Sequence, residues 1–160
     1  MITVEPLRGL PVQRDLYVDQ DVFFAKYRLV KPYLIRRDTE TGQGSDHEFT
    51  QLPEDHQKFV DQTKCILCAA CYSSCPVVND EGHDFIGPAA VVQASRFVFD
   101  DRDEGFEDRL PELDAPNGVW ACENHLNCTR VCPRGIKVTK AINRTKRLIK
   151  QTREKSDQDV

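Results

Sequence analysis

The sequence lacks any apolar run near the ~20 residues that a membrane-spanning helix requires, so it predicts no bilayer-spanning segment. It has no basic stretch followed by an apolar stretch of about 7–15 residues, so no secretory signal peptide is expected. Only 39% of its 160 residues are hydrophobic, which is little for a self-sufficient core. The formal net charge of −4 gives no reason to expect nucleic-acid binding. These absences leave a soluble chain that needs more than apolar burial to hold its fold.

Cysteine is absent from the first 64 residues, and the total of 7 is odd. An odd number excludes a fully paired disulfide framework and favours a reducing compartment. All seven thiols lie in two runs, and the first reads Cys65-Ile-Leu-Cys68-Ala-Ala-Cys71-Tyr-Ser-Ser-Cys75-Pro76. This C-x2-C-x2-C-x3-C-P spacing is typical of bacterial ferredoxins.

The first run predicts ligands of iron–sulfur clusters. A compact loop lets Cys65, Cys68 and Cys71 reach three irons of one cube, and the fourth cysteine, before proline, ligates a second cluster. A zinc site and inert buried thiols are the alternatives. Zinc sites usually take four ligands from two C-x2-C pairs, which leaves the third cysteine and the C-x3-C-P end unexplained.

The second run reads Cys122-Glu-Asn-His125-Leu-Asn-Cys128-Thr-Arg-Val-Cys132-Pro133, with His125 where a repeat of the first run would have cysteine. Seven thiolates are therefore available for two clusters. By the crossed ligation of two-cluster ferredoxins, Cys132 joins Cys65, Cys68 and Cys71 around the first cluster. The remaining set, Cys75, Cys122 and Cys128, suits a [3Fe–4S] cluster.

His125 has two interpretations. Its imidazole could ligate a fourth iron, which is the less common arrangement. Alternatively it lies beside the vacant corner, where it tunes the potential or contacts a substrate. The other histidines lie in charged, loop-like stretches and are expected to be solvated: His47, His56 and His83.

The pattern of the chain predicts a mainly α fold, an α-helical ferredoxin-like domain over 19–155 that carries two clusters. A short extended arm or linker strand over 1–18 precedes it, and a frayed tail over 156–160 follows. The predicted helices cover 20–31 after Asp19, about 53–64 from Pro53, a segment opened by Gly87-Pro88, about 107–113, and a last helix capped by Thr139. The stretches 36–50 and 100–104 are expected to be loops.

Charge is uneven along the chain. The stretch 80–114 holds 11 acidic residues, and the stretch 134–155 holds 9 basic residues and one acidic. Such runs are most often solvated faces. The functional alternative is that the basic C-terminal helix faces an acidic partner or anionic lipid headgroups.

Several segments resemble the iron–sulfur subunit of succinate dehydrogenase and fumarate reductase, and their order agrees over essentially the whole chain. They are Arg8-Gly-Leu-Pro-Val-Gln-Arg-Asp-Leu, Lys31-Pro-Tyr-Leu, Cys65-Ile-Leu-Cys68, Phe85-Ile-Gly-Pro-Ala, Arg102-Asp103 and Asn127-Cys128. The resemblance implies a hetero-oligomeric succinate:quinone oxidoreductase. In it, this chain relays electrons from a flavoprotein subunit with FAD to quinone at membrane-anchor subunits, and no catalytic acid–base residue is expected in the chain itself.

The resemblance also implies the ligand sets. Cys65, Cys68, Cys71 and Cys132 would hold a [4Fe–4S] cluster, and Cys75, Cys122 and Cys128 a [3Fe–4S] cluster. It places the chain on the cytoplasmic face of the cell membrane as a peripheral protein, or alternatively on the matrix face of the mitochondrial inner membrane.

Two departures from the family stand out. The plant-type C-x4-C-x2-C motif for a [2Fe–2S] cluster is absent, so a separate chain or a missing domain is expected to carry that cluster; Met1 favours a natural split subunit over a fragment. The quinone pocket is also altered. Many members have a tryptophan pair after the C-P and a histidine after the cysteine matching Cys122, where this chain has Asn79-Asp80 and Glu123. The candidate pocket comprises Pro76, Asp80, Glu123 and His125.

Two rival functions remain. The chain could be the iron–sulfur adaptor of another flavin-linked oxidoreductase, similar to a thiol:fumarate reductase or a glycolate oxidase. Such proteins more often have two complete cysteine runs, so His125 counts against this reading. A free two-cluster ferredoxin is the other rival, and the long N-terminal arm and flanking helices count against it.

Overall fold

The computed structural model describes residues 2–37, 49–80, 82 and 84–158. The fold is mainly α, as predicted. The helices are α1 Asp21–Leu29, α2 Pro53–His56, α3 Val60–Thr63, α4 Ala70–Ser73, α5 Pro76–Asn79, α6 Pro88–Val98, α7 Phe106–Leu113, α8 Asn127–Arg130 and α9 Val138–Gln158, with a 3-10 turn at Val119–Ala121. Most of the predicted loop 36–50, together with His47 and His83, lies outside the described residues. His56 is exposed.

The N-terminal segment is a hairpin rather than a simple extended arm. Strands β1 Val12–Arg14 and β2 Tyr17–Val18 pair antiparallel, and the chain reverses through Asp15 at φ 52°. Leu10 and Val18 are buried in a small cluster with Phe23 of α1 and Tyr72 of α4. The segment predicted as an arm therefore packs against the loop that carries the first cysteine run.

Helices α6 and α9 pack against each other and form the centre of the fold. Nearly all residues of α6 are buried, and most of them are small or β-branched. Helix α9 buries Ala141, Ile142 and Ile149 on one face. Gly87, at φ 92°, starts α6, and a Cβ there would lie 2.6 Å from the Tyr72 ring. Only glycine fits that close approach without strain. Cys75 and Cys128 belong to the same buried cluster as α6 and α9.

Two predicted helix boundaries were wrong. The helix expected over about 53–64 is broken into α2 and α3, because Phe59 leaves the helical conformation (φ −134°, ψ −1°) and buries its ring. The last helix begins at Val138, so Thr139 lies in its first turn instead of capping it. The tail predicted as frayed from residue 156 is helical as far as Gln158.

A buried ion pair holds the segment that follows α1. The side chains of Arg109 and Asp103 are 0% and 1% exposed, and their closest N–O distance is 2.7 Å. The same guanidinium donates to the backbone carbonyls of Val30, Lys31 and Tyr33. No pattern in the sequence predicts this pair. It joins α7 to the chain more than 70 residues earlier, so it fixes the outer edge of the helical core.

Candidate metal centres

The two cysteine runs fold into loops with the same backbone pattern. Counted from the first cysteine of each run, the third residue is left-handed in both, with φ 53° at Leu67 and 63° at Asn124. The fifth is left-handed as well, with φ 58° at Ala69 and 65° at Leu126. Each loop then enters a one-turn helix, α4 or α8. The loops are structural repeats, and His125 takes the place in the second that Cys68 takes in the first.

This conformation favours binding of an anionic group. Left-handed residues alternating with right-handed ones turn successive N–H groups towards one concave side, as in many phosphate and iron–sulfur sites. Each left-handed residue other than glycine costs about 1–2 kcal/mol. Such strain persists only where surrounding structure enforces it, and it concentrates at functional sites. The paired loops are therefore cradles for a bound group.

The first cavity, which we call the four-thiol cavity, is lined by four cysteines from both runs: Cys65, Cys68, Cys71 and Cys132. Its empty volume is about 390 Å³, counting the part open to solvent. Apolar side chains from the loop, α6 and the start of α9 form its other walls: Ala69, Ala89, Val92, Ile136 and Val138. Cys68 is exposed and the other three thiols are half-buried. The cavity thus joins the last cysteine of the second run to the first three of the first run.

The second cavity, which we call the three-thiol cavity, is lined by Cys75, Cys122 and Cys128 and has about 300 Å³ of empty volume. Cys75 and Cys128 are buried, and Cys122 is half-buried. Among its other lining residues are Phe85, Pro88, Ile142 and His125. Within the part of the chain that the structure describes, no fourth cysteine reaches this cavity.

The two cavities are close neighbours. Burial, with a smaller contribution from the nearby thiols of Cys65, Cys128, Cys68 and Cys132, raises the pKa of the Cys71 thiol to about 12. Cys128 lines the three-thiol cavity, so its effect on Cys71 indicates that the two cavities are near each other. Burial also raises the pKa of Cys75, although the backbone N–H groups of Val78 and Val77 act in the opposite direction. Cationic iron would replace these protons, because only the thiolate is a metal ligand.

Polar contacts surround the three-thiol cavity. The Thr139 hydroxyl lies 3.4 Å from Cys128 Sγ and 3.0 Å from the Thr129 hydroxyl. The ammonium of Lys146 donates to the Cys122 carbonyl at 2.7 Å. Neither Thr139 nor Lys146 is among the site residues that the cysteine spacing predicts. Their separation of seven residues, which places both on one face of α9, was the available signal.

The structure also brings together the four residues of the candidate quinone pocket. Pro76, Asp80, Glu123 and His125 line an open cavity of about 590 Å³. His125 Nε2 lies 2.9 Å from Glu123 Oε2, and both side chains are exposed. Glu123 and His125 also line the three-thiol cavity, so the two cavities share a wall.

Within the described residues, no group of three or more His, Cys, Asp or Glu side chains is close enough to hold a single metal ion. Cluster ligands have a different requirement, since each thiolate binds its own iron at a separate corner. The donors that the two cavities have in common are thiols, and apolar side chains form much of both walls. These residues fit iron–sulfur clusters in both cavities.

Comparisons with known proteins agree with this arrangement. The family model described as a 4Fe-4S dicluster domain matches residues 61–136, which include both cysteine runs. A fumarate reductase iron-sulfur subunit of Mycobacterium tuberculosis is 42% identical over 145 residues, which are 91% of this chain and 58% of that protein. A succinate dehydrogenase iron-sulfur subunit of Coxiella burnetii is 41% identical over 143 residues, 89% of this chain and 59% of that protein.

The chain is a homologue of these iron–sulfur subunits. One chain of a structure described as the Mycobacterium smegmatis Sdh1 complex in the apo form has a similar fold, with a TM-score of 0.75 and 26% sequence identity. The match covers 92% of this chain and 61% of that chain. The resemblance stated from the sequence is thereby confirmed. The chain spans about three-fifths of the length of the iron–sulfur subunits it matches. Among the described residues, none of the helices has the length and apolar character to cross a membrane.

Proposed function

We propose that this chain is the electron-transfer part of an iron–sulfur subunit in a succinate:quinone oxidoreductase. The observation that carries the proposal is the partition of seven cysteines into a four-thiol and a three-thiol cavity, which lie near enough for Cys128 to affect the pKa of Cys71. When bound there, iron–sulfur clusters would pass electrons one at a time. The chain's own task is to hold the two centres side by side, to exclude water with apolar walls and to tune their potentials.

The four-thiol cavity would hold the [4Fe–4S] cluster through Cys65, Cys68, Cys71 and Cys132. Its count of thiols matches the four irons of a cube. The left-handed backbone at Leu67 and Ala69 would turn N–H groups towards the sulfides, which stabilises the negative charge of the reduced state. Cys68 is the exposed ligand, so the face around it is the side from which electrons would enter.

The three-thiol cavity would hold the [3Fe–4S] cluster through Cys75, Cys122 and Cys128. His125 replaces the cysteine that a fourth iron would need. Its Nε2 is already engaged with Glu123 at 2.9 Å, and its side chain is 44% exposed. Both observations favour a role beside the cluster over direct ligation of a fourth iron.

The open cavity at Pro76, Asp80, Glu123 and His125 is the proposed quinone contact. It shares a wall with the three-thiol cavity, so an acceptor there would lie next to the second cluster. A quinone carbonyl needs a hydrogen-bond donor, and the His125 imidazole can supply one. Asp80 and Glu123 would donate only when protonated.

The proposed partners are a flavoprotein subunit with FAD, membrane-anchor subunits with quinone, and a chain or domain carrying a [2Fe–2S] cluster. The longer relatives support the last of these, since two-fifths of their length has no counterpart here. The structural likeness to a chain of an Sdh1 complex supports a hetero-oligomer. We propose that this chain is a peripheral subunit on the cytoplasmic face of the cell membrane, with the matrix face of the mitochondrial inner membrane as the alternative.

Electron paramagnetic resonance (EPR) of the purified complex tests this proposal. The air-oxidised complex should show the signal of an oxidised [3Fe–4S] cluster. His125→Cys restores the eighth cysteine and should convert that centre to a four-iron cluster, so the oxidised signal should disappear. Glu123→Gln is the matched control, because it changes the partner of His125 without adding a thiol. Two [4Fe–4S] clusters in the unaltered complex would contradict the proposal.

A further inference from the structure

A basic cavity lies between α3 and the start of α9, and no cysteine lines it. Its empty volume is about 800 Å³, counting the part open to solvent. Five cationic side chains and one carboxylate contribute to its lining: Lys58, Lys64, Lys137, Lys140, Arg144 and Asp61. The cavity is therefore separate from both thiol cavities and from the quinone pocket, and it is strongly positive.

Both oxygens of the one carboxylate in this lining, that of Asp61, already accept hydrogen bonds. Asp61 Oδ1 accepts a hydrogen bond from Lys64 Nζ at 3.0 Å, and Oδ2 accepts one from the Lys137 backbone N–H at 3.0 Å. Burial acts to raise the pKa of Asp61, but these hydrogen bonds outweigh it and hold the pKa below its ordinary value. Asp61 is ionised at neutral pH, with both of its oxygens occupied, and serves to position Lys64 and the start of α9.

The other four cations of the lining are not paired with a carboxylate of the cavity itself. Lys58 pairs with Asp55 at 2.5 Å, and Arg144 lies over the Phe99 ring at 3.6 Å while it donates to the Lys58 carbonyl. In the part of the chain that the structure describes, Lys137 and Lys140 are exposed and neither forms a salt bridge, although the charge of Lys137 helps to lower the pKa of Asp61. Like charges that line one cavity repel each other, and a bound anion would relieve the repulsion.

A buried amide supplies a second, independent observation. Gln62 lines the same cavity and is 7% exposed, and its Oε1 is buried with no hydrogen-bond partner among the described residues. An unpaired buried acceptor costs free energy that a donor would recover. The matching ligand is thus an anion that also carries a hydrogen-bond donor.

We propose that the basic cavity binds a protonated phosphate group, either hydrogen phosphate or a singly protonated phosphate monoester. The anionic oxygens would contact Lys137, Lys140 and Arg144, and the P–OH group would donate to Gln62 Oε1. Sulfate has a similar size and charge but no proton at neutral pH, so it would place only acceptors against Gln62 Oε1. The cavity therefore distinguishes phosphate from sulfate.

Isothermal titration calorimetry on the purified complex tests this, with inorganic phosphate and sulfate compared at one ionic strength. Phosphate should bind about tenfold more tightly than sulfate, the ratio expected for one satisfied against one unsatisfied buried acceptor. Gln62→Met removes the amide at similar length and should bring the two affinities close to equal. Equal affinities in the unaltered complex would overturn the proposal.

The cationic contribution has its own matched variants. Lys137→Gln combined with Lys140→Gln should weaken phosphate binding about tenfold or more. Lys155→Gln, on the same helix but outside the cavity, should leave it unchanged, and the visible absorption of the clusters checks that each variant is folded. Phosphate binding that survives the double substitution at full strength would also overturn the proposal.

The source of the phosphate is settled by competition. If the cavity binds a lipid headgroup, phosphatidylcholine vesicles that contain phosphatidic acid should displace inorganic phosphate, and vesicles of phosphatidylcholine alone should not. Phosphate that stays bound in the presence of both vesicles assigns the cavity to a free phosphate compound. None of these outcomes involves a cluster ligand, so the result is independent of the electron-transfer proposal.

Discussion

Single side chains set the environment of the three-thiol cavity beyond what its cysteines provide. A thiolate at Cys128 only accepts hydrogen bonds, so with iron bound the Thr139 hydroxyl must be the donor across their 3.4 Å contact. Such a hydrogen bond stabilises the more negative, reduced state and raises the reduction potential. Lys146, held on the Cys122 carbonyl, adds a positive charge that acts in the same direction.

Thr139→Val should lower the midpoint potential of the proposed [3Fe–4S] cluster by roughly 20–60 mV, the equivalent of one modest hydrogen bond for a one-electron couple. A redox titration followed by EPR measures this shift. Thr139→Ser keeps the hydroxyl and is the control. Equal potentials in the valine and serine variants would show that the hydroxyl does not reach the cluster ligand.

Spacing alone predicts how the cysteines group into a set of four and a set of three, because the ferredoxin run has few other uses. Thr139 and Lys146 could not, since a contact to a sulfur or a carbonyl on another element depends on how α9 packs. The sequence favoured a helix cap for Thr139, which its position one residue inside α9 excludes. Side-chain partners across elements are the level of detail that spacing does not encode.

At the scale of elements, two repeated loops and two long helices form the site. The proline after Gly87 and the apolar face of α9 predicted both long helices correctly, because these signals are local. The N-terminal hairpin was not predicted as such, since Leu10 and Val18 are buried only through contacts with Phe23 and Tyr72. Nor does sequence spacing show that Leu67 and Asn124 share a left-handed backbone.

Arg109→Met should destabilise the protein by about 3–5 kcal/mol, the usual cost of breaking a buried ion pair. The substitution leaves the Asp103 carboxylate buried without its cation, and three backbone carbonyls lose a donor. Urea unfolding followed by circular dichroism measures the loss. Arg37→Met removes an exposed pair with Asp108 and should cost at most about 1 kcal/mol. Equal losses in the two variants would contradict the structural role given to Arg109.

At the scale of the whole molecule, the modest apolar fraction and the odd thiol count have one common explanation. Two clusters would cross-link both cysteine runs, and metal binding of this kind contributes folding free energy. The contacts of the two charged stretches could not be predicted from the sequence either. The basic stretch contributes cations to a defined cavity. In the acidic stretch, Asp103 is buried in a salt bridge with Arg109.

Size-exclusion chromatography followed by mass spectrometry tests the assembly. The native protein should co-migrate with a flavoprotein, and the complex should contain a plant-type C-x4-C-x2-C motif on this or another polypeptide, because electrons need a route to the four-thiol cavity. A chain that migrates alone, with its clusters intact, would instead support a free two-cluster ferredoxin.

The central claim is that the last cysteine of each run serves the other run's cavity. Cys75→Ser and Cys132→Ser, compared by EPR on the purified complex, test it most directly. Cys75→Ser should disturb the oxidised [3Fe–4S] signal and leave the reduced [4Fe–4S] signal in place, and Cys132→Ser should do the reverse. If Cys75→Ser instead disturbs the [4Fe–4S] signal alone, each run binds its own cluster and the assignment of the two cavities is wrong.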